Sequence, residues 1–157
     1  MHIHRLEKIW LAFGMSMLAL FLLILGVSAF SMGLGTPIGE HSHSVDPTKL
    51  DETAPFDKPG LTQIGDKEYD AVLIAYAFGY SPDTLEVPAG STVNFTVTSA
   101  DVVHGFQIPG TIVNMMAIPG EVGHLSYTFD KPGEYLILCN EYCGTGHQAM
   151  FTKLVVT

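Results

Sequence analysis

Cys139-Asn140-Glu141-Tyr142-Cys143-Gly144-Thr145-Gly146-His147-Gln148-Ala149-Met150 places two thiols, an imidazole and a thioether within twelve residues. Thiolate, imidazole and thioether together select copper over hard cations, and Cys143-x3-His147-x2-Met150 alone suits a blue-copper centre with a weak axial methionine. Cys139 changes that reading. It stands four residues before Cys143, so one loop can bring both sulfurs together and bridge two metal ions, where a mononuclear site needs one thiolate. A Cys139–Cys143 disulfide is the alternative, and it explains neither His147 nor Met150.

The segments around this loop read as short strands. Val93, Phe95 and Val97 alternate with Asn94, Thr96 and Thr98, and Leu125, Tyr127 and Phe129 alternate in the same way before Lys131-Pro132-Gly133. Each pattern has one buried face. Glu68–Phe78, Thr84–Val87, His104–Ile108, Glu134–Leu138 and Phe151–Val156 are further strand candidates, separated by Ser-Pro-Asp, Pro-Ala-Gly, Pro-Gly-Thr and Pro-Gly-Glu turns. About seven strands at this spacing predict a Greek-key β-sandwich, and the segment is long enough for one core. A pair of metal ions sharing two thiolates still needs a second imidazole. His104, in Asp101-Val102-Val103-His104-Gly105-Phe106 at the end of a strand, is the best placed. His124, midway along a strand pattern, reads as a hydrogen-bonded structural residue.

Much of the chain's apolar content lies elsewhere. Ile9 to Leu34 carries no charged residue over 26 positions, enough for a helix to cross a hydrocarbon core of roughly 30 Å. Val27-Ser28-Ala29 offers the small residues of a signal-peptide cleavage site. The apolar run before it exceeds the ~7–15 residues of a secretory core, which favours a retained anchor. Arg5 and Lys8 precede the run and no Lys or Arg follows before Lys49, so the positive-inside rule puts residues 1–8 in the cytoplasm and everything after the helix outside. Residues 35–157 hold 15 acidic against 5 basic residues, a formal charge of −10. Such a domain attracts basic partners, not nucleic acid.

Between helix and strands, residues 35–66 read as a tether, rich in Gly, Pro, Ser and charge, with no sustained period and no expected core. His41 and His43 within it read as solvated. The expected organisation is therefore a cytoplasmic N-terminus over 1–8, a transmembrane helix over 9–34, a linker over 35–66 and the β-domain over 67–157.

His104 followed by Cys139-x-Glu141-x-Cys143-x3-His147-x2-Met150 resembles the binuclear copper (CuA) motif of cytochrome c oxidase subunit II, a membrane-anchored cupredoxin. The stretch Tyr127-x-Phe129-x2-Pro132-Gly133-x-Tyr135 is similar to the strand and turn leading into a cupredoxin copper loop. One apolar span instead of two resembles the B-type (ba-type) branch of heme-copper oxidases. So do Glu7-Lys8-Ile9-Trp10-Leu11-Ala12-Phe13, Val45-Asp46-Pro47-Thr48 and Ala75-Tyr76-Ala77-Phe78-Gly79-Tyr80. That branch often has Gln at position 141, so Glu141 is a departure toward the wider family.

The resemblance implies that Cys139 and Cys143 bridge two coppers, that His104 and Met150 complete one ion, and that His147 and the Glu141 carbonyl complete the other. It also implies that the Glu141 carboxylate can meet a magnesium ion at the boundary with the catalytic subunit. The activity it implies is electron entry into a terminal oxidase in a prokaryotic cell membrane. Reduced cytochrome c delivers one electron at a time, and the low-spin heme of oxidase subunit I, which holds all the hemes and reduces oxygen, receives it. Tyr76, Phe78 and Tyr80 recur at period 2, predicting one strand face, and by resemblance this aromatic patch receives cytochrome c. Glu7 resembles a carboxylate at the entrance of a proton-uptake path. Two other readings use similar residues. A nitrous oxide reductase would need a propeller domain, whose repeats are absent from the sequence, and an anchored copper-delivery protein would need open, exchangeable ligation. No nucleophile–base pair or phosphate-binding glycine loop points to hydrolysis or phosphoryl transfer.

Overall fold

A computed structural model describes residues 4–32 and 44–157, which fall in two separate units. His41 and His43 lie outside the described residues.

The first unit is helix α1, Arg5–Met32, 28 residues and about 42 Å long at 1.5 Å per residue. Large apolar side chains including Trp10, Phe21, Leu23 and Phe30 are exposed along it. A helix apolar all round has no water-facing side and suits lipid. Two of its three serines follow the same logic, since Ser16 Oγ donates to Ala12 O at 2.7 Å and Ser31 Oγ to Ser28 O at 3.3 Å, so these two hydroxyls are satisfied within the helix. The helix begins four residues before the apolar run because the polar residues there cap it. Leu6 N–H donates to His4 Nδ1, and His4 N–H to Glu7 Oε2, the reciprocal arrangement of a capping box.

The second unit is a sandwich of two five-stranded sheets. In the first, β2 (Glu68–Tyr76) lies between β1 (Gly60–Gly65) and the parallel strand β5 (Ser91–Ser99), and β8 (Gly123–Phe129) closes the far edge; β3 (Gly79–Ser81) pairs with the end of β2. In the second, the order is β4 (Thr84–Val87), β10 (Phe151–Val156), β9 (Gly133–Leu138), β6 (His104–Gln107), β7 (Asn114–Ala117). Alternation does the sorting: Val93, Phe95 and Val97 of β5 and Leu154 and Val156 of β10 point inward. Phe95 is the hub, with ring centroids 5.3 Å from Phe106 and 6.3 Å from Phe129. Burying each such ring removes apolar surface worth about 1.5–3 kcal/mol.

Three expectations need correction. Residues 44–65 are folded where a coreless tether is expected. Val45 N–H bonds Gly120 O, Asp46 Oδ1 turns the chain by accepting from Thr48 N–H and Oγ1, and Leu50 and Phe56 are buried against Val122, Val72 and Ile74 on the outer face of the first sheet. Strand β1 completes this segment. Second, Tyr76, Phe78 and Tyr80 do not share a strand. The chain reverses at Ala77-Phe78, with Tyr76 paired to Gly79 and Ala75 to Tyr80. Third, the sandwich has ten strands among the described residues; β1, β3 and β7 are not anticipated by the alternation.

Candidate metal centre

Strands β6 and β9 are antiparallel neighbours, so the start of one and the end of the other lie together. This carries His104, thirty-five residues away in sequence, to Cys139, with Nδ1 4.0 Å from Sγ. The loop that follows is pinned at both ends: Cys139 N–H bonds Met150 O, and Leu138 pairs with Phe151. Between these ends, a 3₁₀ turn at His147–Ala149 folds the chain back, with His147 N–H on Gly144 O and Met150 N–H on His147 O.

The donor atoms gather inside that loop. Cys139 Sγ is 3.7 Å from Cys143 Sγ and 3.1 Å from the Glu141 carbonyl oxygen; Cys143 Sγ is 3.5 Å from His147 Nδ1 and 3.6 Å from Met150 Sδ. His104, Cys139 and Cys143 form a metal-capable group whose ligand atoms all lie within 4.8 Å of one another. Ligands about 2.0–2.3 Å from a tetrahedral ion stand about 3.3–3.8 Å apart, so the separations of Cys143 Sγ from Cys139 Sγ, His147 Nδ1 and Met150 Sδ fit soft-metal ligation, while Cys139 lies slightly closer to Glu141 O and slightly farther from His104 Nδ1. The sulfurs are well beyond the ~2.05 Å of a disulfide, and both cysteines are free. All six positions that the sequence reading named are thus brought together. His104, Cys139 and Met150 are buried, Cys143 and His147 half-buried, and the Glu141 side chain is exposed.

The surroundings act on these groups. Burial, then the neighbouring Cys139, pushes the Cys143 thiol up to about 11, so a metal entering here displaces a proton. His104 Nε2 lies 2.7 Å from Asp101 Oδ1. A carboxylate only accepts, which puts the imidazole proton on Nε2 and leaves the Nδ1 lone pair facing Cys139. Burial raises the Asp101 pKa, but hydrogen bonds from His104, Val102 and Ala77 more than offset it and hold it below the usual range. Sequence reasoning missed Asp101. The available signal was its position three residues before His104, since ligating histidines commonly donate their other N–H to a carboxylate.

The aromatic residues divide. Tyr76 and Phe78 are 39% and 38% exposed, whereas Tyr80 is 1% exposed, so it shares no surface with them. Its phenol donates to Gly105 O at 2.5 Å, and burial followed by the charges of the cysteine sulfurs raises its pKa. Phe78 lies on the metal loop itself: a Cβ built on Gly146 would come within 2.5 Å of Phe78 Cγ, and one on Gly144, whose φ is +129°, within 3.1 Å of Phe78 Cε1. Tyr142, unremarked in the sequence reading, is 80% exposed with its ring centroid 5.8 Å from that of His147. Glu7 lies in the first turn of α1, in the other unit. His124 bonds Thr96 Oγ1 through Nδ1.

The chain is 42% identical over 152 residues to cytochrome c oxidase subunit 2 of Thermus thermophilus, covering 96% of this chain and 90% of that one. The chain belongs to the cytochrome c oxidase subunit II family. The family model for the periplasmic domain of cytochrome c oxidase subunit II matches residues 80–156, from β3 to the end of β10. A chain of a heme-copper terminal oxidase dimer superposes with a TM-score of 0.66 at 34% identity, over 98% of this subunit II and all of that chain. The periplasmic domain of Bradyrhizobium japonicum cytochrome oxidase subunit II shares the fold, with a TM-score of 0.53 at 22% identity, over 56% of this chain and 83% of that one. The β-unit of this subunit II is therefore a cupredoxin-like sandwich with a His/Cys/Cys candidate metal site, in a chain that has, among the described residues, one N-terminal helix of membrane-spanning length. As subunit II of a heme-copper oxidase it is one component of an oxidoreductase complex.

Proposed function

We propose that this subunit II is the electron-entry point of its oxidase, taking electrons one at a time from a cytochrome c and passing them to the low-spin heme of subunit I. The observation that supports it most is the clustering of His104, Cys139 and Cys143 within 4.8 Å, with Glu141 O, His147 and Met150 in contact with the same sulfurs. Two copper ions fit this donor set. His104, Cys139, the Glu141 carbonyl, Cys143, His147 and Met150 would hold them. Bound there, the pair supplies a one-electron couple, since thiolate and thioether favour Cu(I) and imidazole also accommodates Cu(II).

The chain's own contribution is to keep those donors still. The Asp101 carboxylate fixes the His104 ring, and the strand pairing at Leu138 and Phe151 closes the loop. Ligands held by packing and hydrogen bonds move little between oxidation states, which favours electron transfer. A copper-delivery role fits less well, because His104, Cys139 and Met150 are buried.

Phe78, exposed on one side and resting on the loop at Gly144 and Gly146, is the proposed entry point, with Tyr76 beside it in the same turn. The formal charge of −10 over residues 35–157 would draw a basic donor toward this domain. The proposal puts α1 in the bilayer with Arg5 and Lys8 on the cytoplasmic side and the sandwich outside. It leaves the exposed Glu141 carboxylate open to magnesium at the subunit I boundary.

The deciding experiment is EPR of the full-length chain, detergent-solubilised and loaded with copper. A seven-line signal at two coppers per chain, from one unpaired electron shared by both ions, is expected; a four-line signal at one copper per chain overturns the reading.

A further inference from the structure

Tyr80, one of the three aromatics expected at the surface, is buried and aimed at the back of the metal site. Its ring meets Phe106 edge-on, centroids 5.9 Å apart, which fixes the phenol's direction. The O–H donates to Gly105 O at 2.5 Å, and Gly105 N–H donates to Cys139 Sγ at 3.4 Å. Gly105 is therefore held through its carbonyl by one side of the sandwich while its amide faces the sulfur. The copper loop meets the same residue. A Cβ at Gly105 would overlap the Asn140 side chain and come within 2.5 Å of Asn140 N, and Asn140 Nδ2 is tied to Asn114 Oδ1 at 3.2 Å. Tyr80 and Asn140 thus grip one glycine from two directions, next in sequence to His104.

We propose that Tyr80 is a positioning residue for the metal centre, its phenol holding the His104-Gly105 segment so that the Gly105 amide stays directed at the Cys139 sulfur. The inference rests on the dicopper reading above. An N–H aimed at a ligating thiolate draws electron density from it and stabilises the reduced metal. Removing the phenol's hold lets the peptide turn away, leaves the thiolate more electron-rich and lowers the reduction potential.

The test compares wild-type and Tyr80→Phe full-length chains, copper-loaded in detergent, by EPR, by sulfur-to-copper absorption and by equilibrium with a one-electron mediator. The variant is expected to bind as much copper as wild type. Its absorption bands should move, and its electron-exchange equilibrium should shift toward the oxidised centre by roughly three- to tenfold, the worth of one modest hydrogen bond. Phe129→Leu, a core change elsewhere in the sandwich, should lower stability and move neither readout. Asn140→Ala, at an exposed position, releases the other side of the grip and should shift the equilibrium in the same direction by less; it serves if Tyr80→Phe does not fold. If wild type gives the seven-line signal while these variants match it in bands and potential, the positioning role is overturned alone. A wild-type chain without that signal overturns the dicopper reading and this inference with it.

Discussion

Asp101 holds His104 by one carboxylate oxygen, Oδ1 to Nε2 at 2.7 Å, and with the other, Oδ2, accepts the Ala77 amide at 2.7 Å. One side chain therefore orients the buried imidazole and anchors the reversal that presents Phe78. Asp101→Ala should weaken copper binding by about 10- to 100-fold, the usual cost of losing such a partner. Competition against a chelator of known affinity measures it; unchanged affinity would show that packing alone orients His104.

Phe78→Ala removes the side chain resting on Gly144 and Gly146 without touching a ligand atom. We expect an unchanged copper spectrum and an electron-transfer rate from a basic cytochrome c at least about tenfold lower, a difference near 1.4 kcal/mol. Tyr76→Ala should cost less, because among the described glycine contacts only Phe78 touches the loop. Stopped-flow reduction at low salt separates them, and equal rates in all three proteins would move the entry point elsewhere.

Phe56 is 2% exposed in the small cluster outside the first sheet. Phe56→Ala should destabilise the β-unit by about 3 kcal/mol, the low end for a buried ring. Denaturant unfolding reads this directly. A loss below ~0.5 kcal/mol would mean that residues 44–57 contribute nothing to the sandwich.

Glu7→Gln keeps an acceptor for the His4 amide and discards the ionisable group. The capping box should survive, and helix content with it. If Glu7 also admits protons, turnover and proton uptake of the assembled oxidase should fall while subunit assembly stays normal; full turnover would leave Glu7 as a cap only.

The candidate metal site was legible because its chemistry is rare and local: two cysteines, a histidine and a methionine in twelve residues have few other uses, and they point to a second histidine upstream. Strands β5 and β8 were legible from alternation, since each has one face in the core and one outside. Leu50 and Phe56 were not. They are single apolar residues in a polar, proline-rich stretch, and their burial depends on a sheet face, at Val72 and Ile74, that local periodicity does not reveal. The 76–80 turn misled for the opposite reason. Three aromatics at perfect period 2 imitate a strand, and only the pairing of Tyr76 with Gly79 exposes the reversal. Asp101 left only its place three residues before His104 as a signal, because a loop carboxylate looks the same whether or not it reaches an imidazole.

The hydrogen bond from Cys139 to Met150 and the adjoining Leu138–Phe151 pair make the two ends of the candidate ligand loop next-door neighbours in the second sheet. Residues 140–149 can therefore be treated as an exchangeable cartridge. A loop of another length and ligand spacing can be spliced between the same two strands with the hydrophobic interior untouched, and His104 is already waiting as the fixed half of whatever centre is inserted.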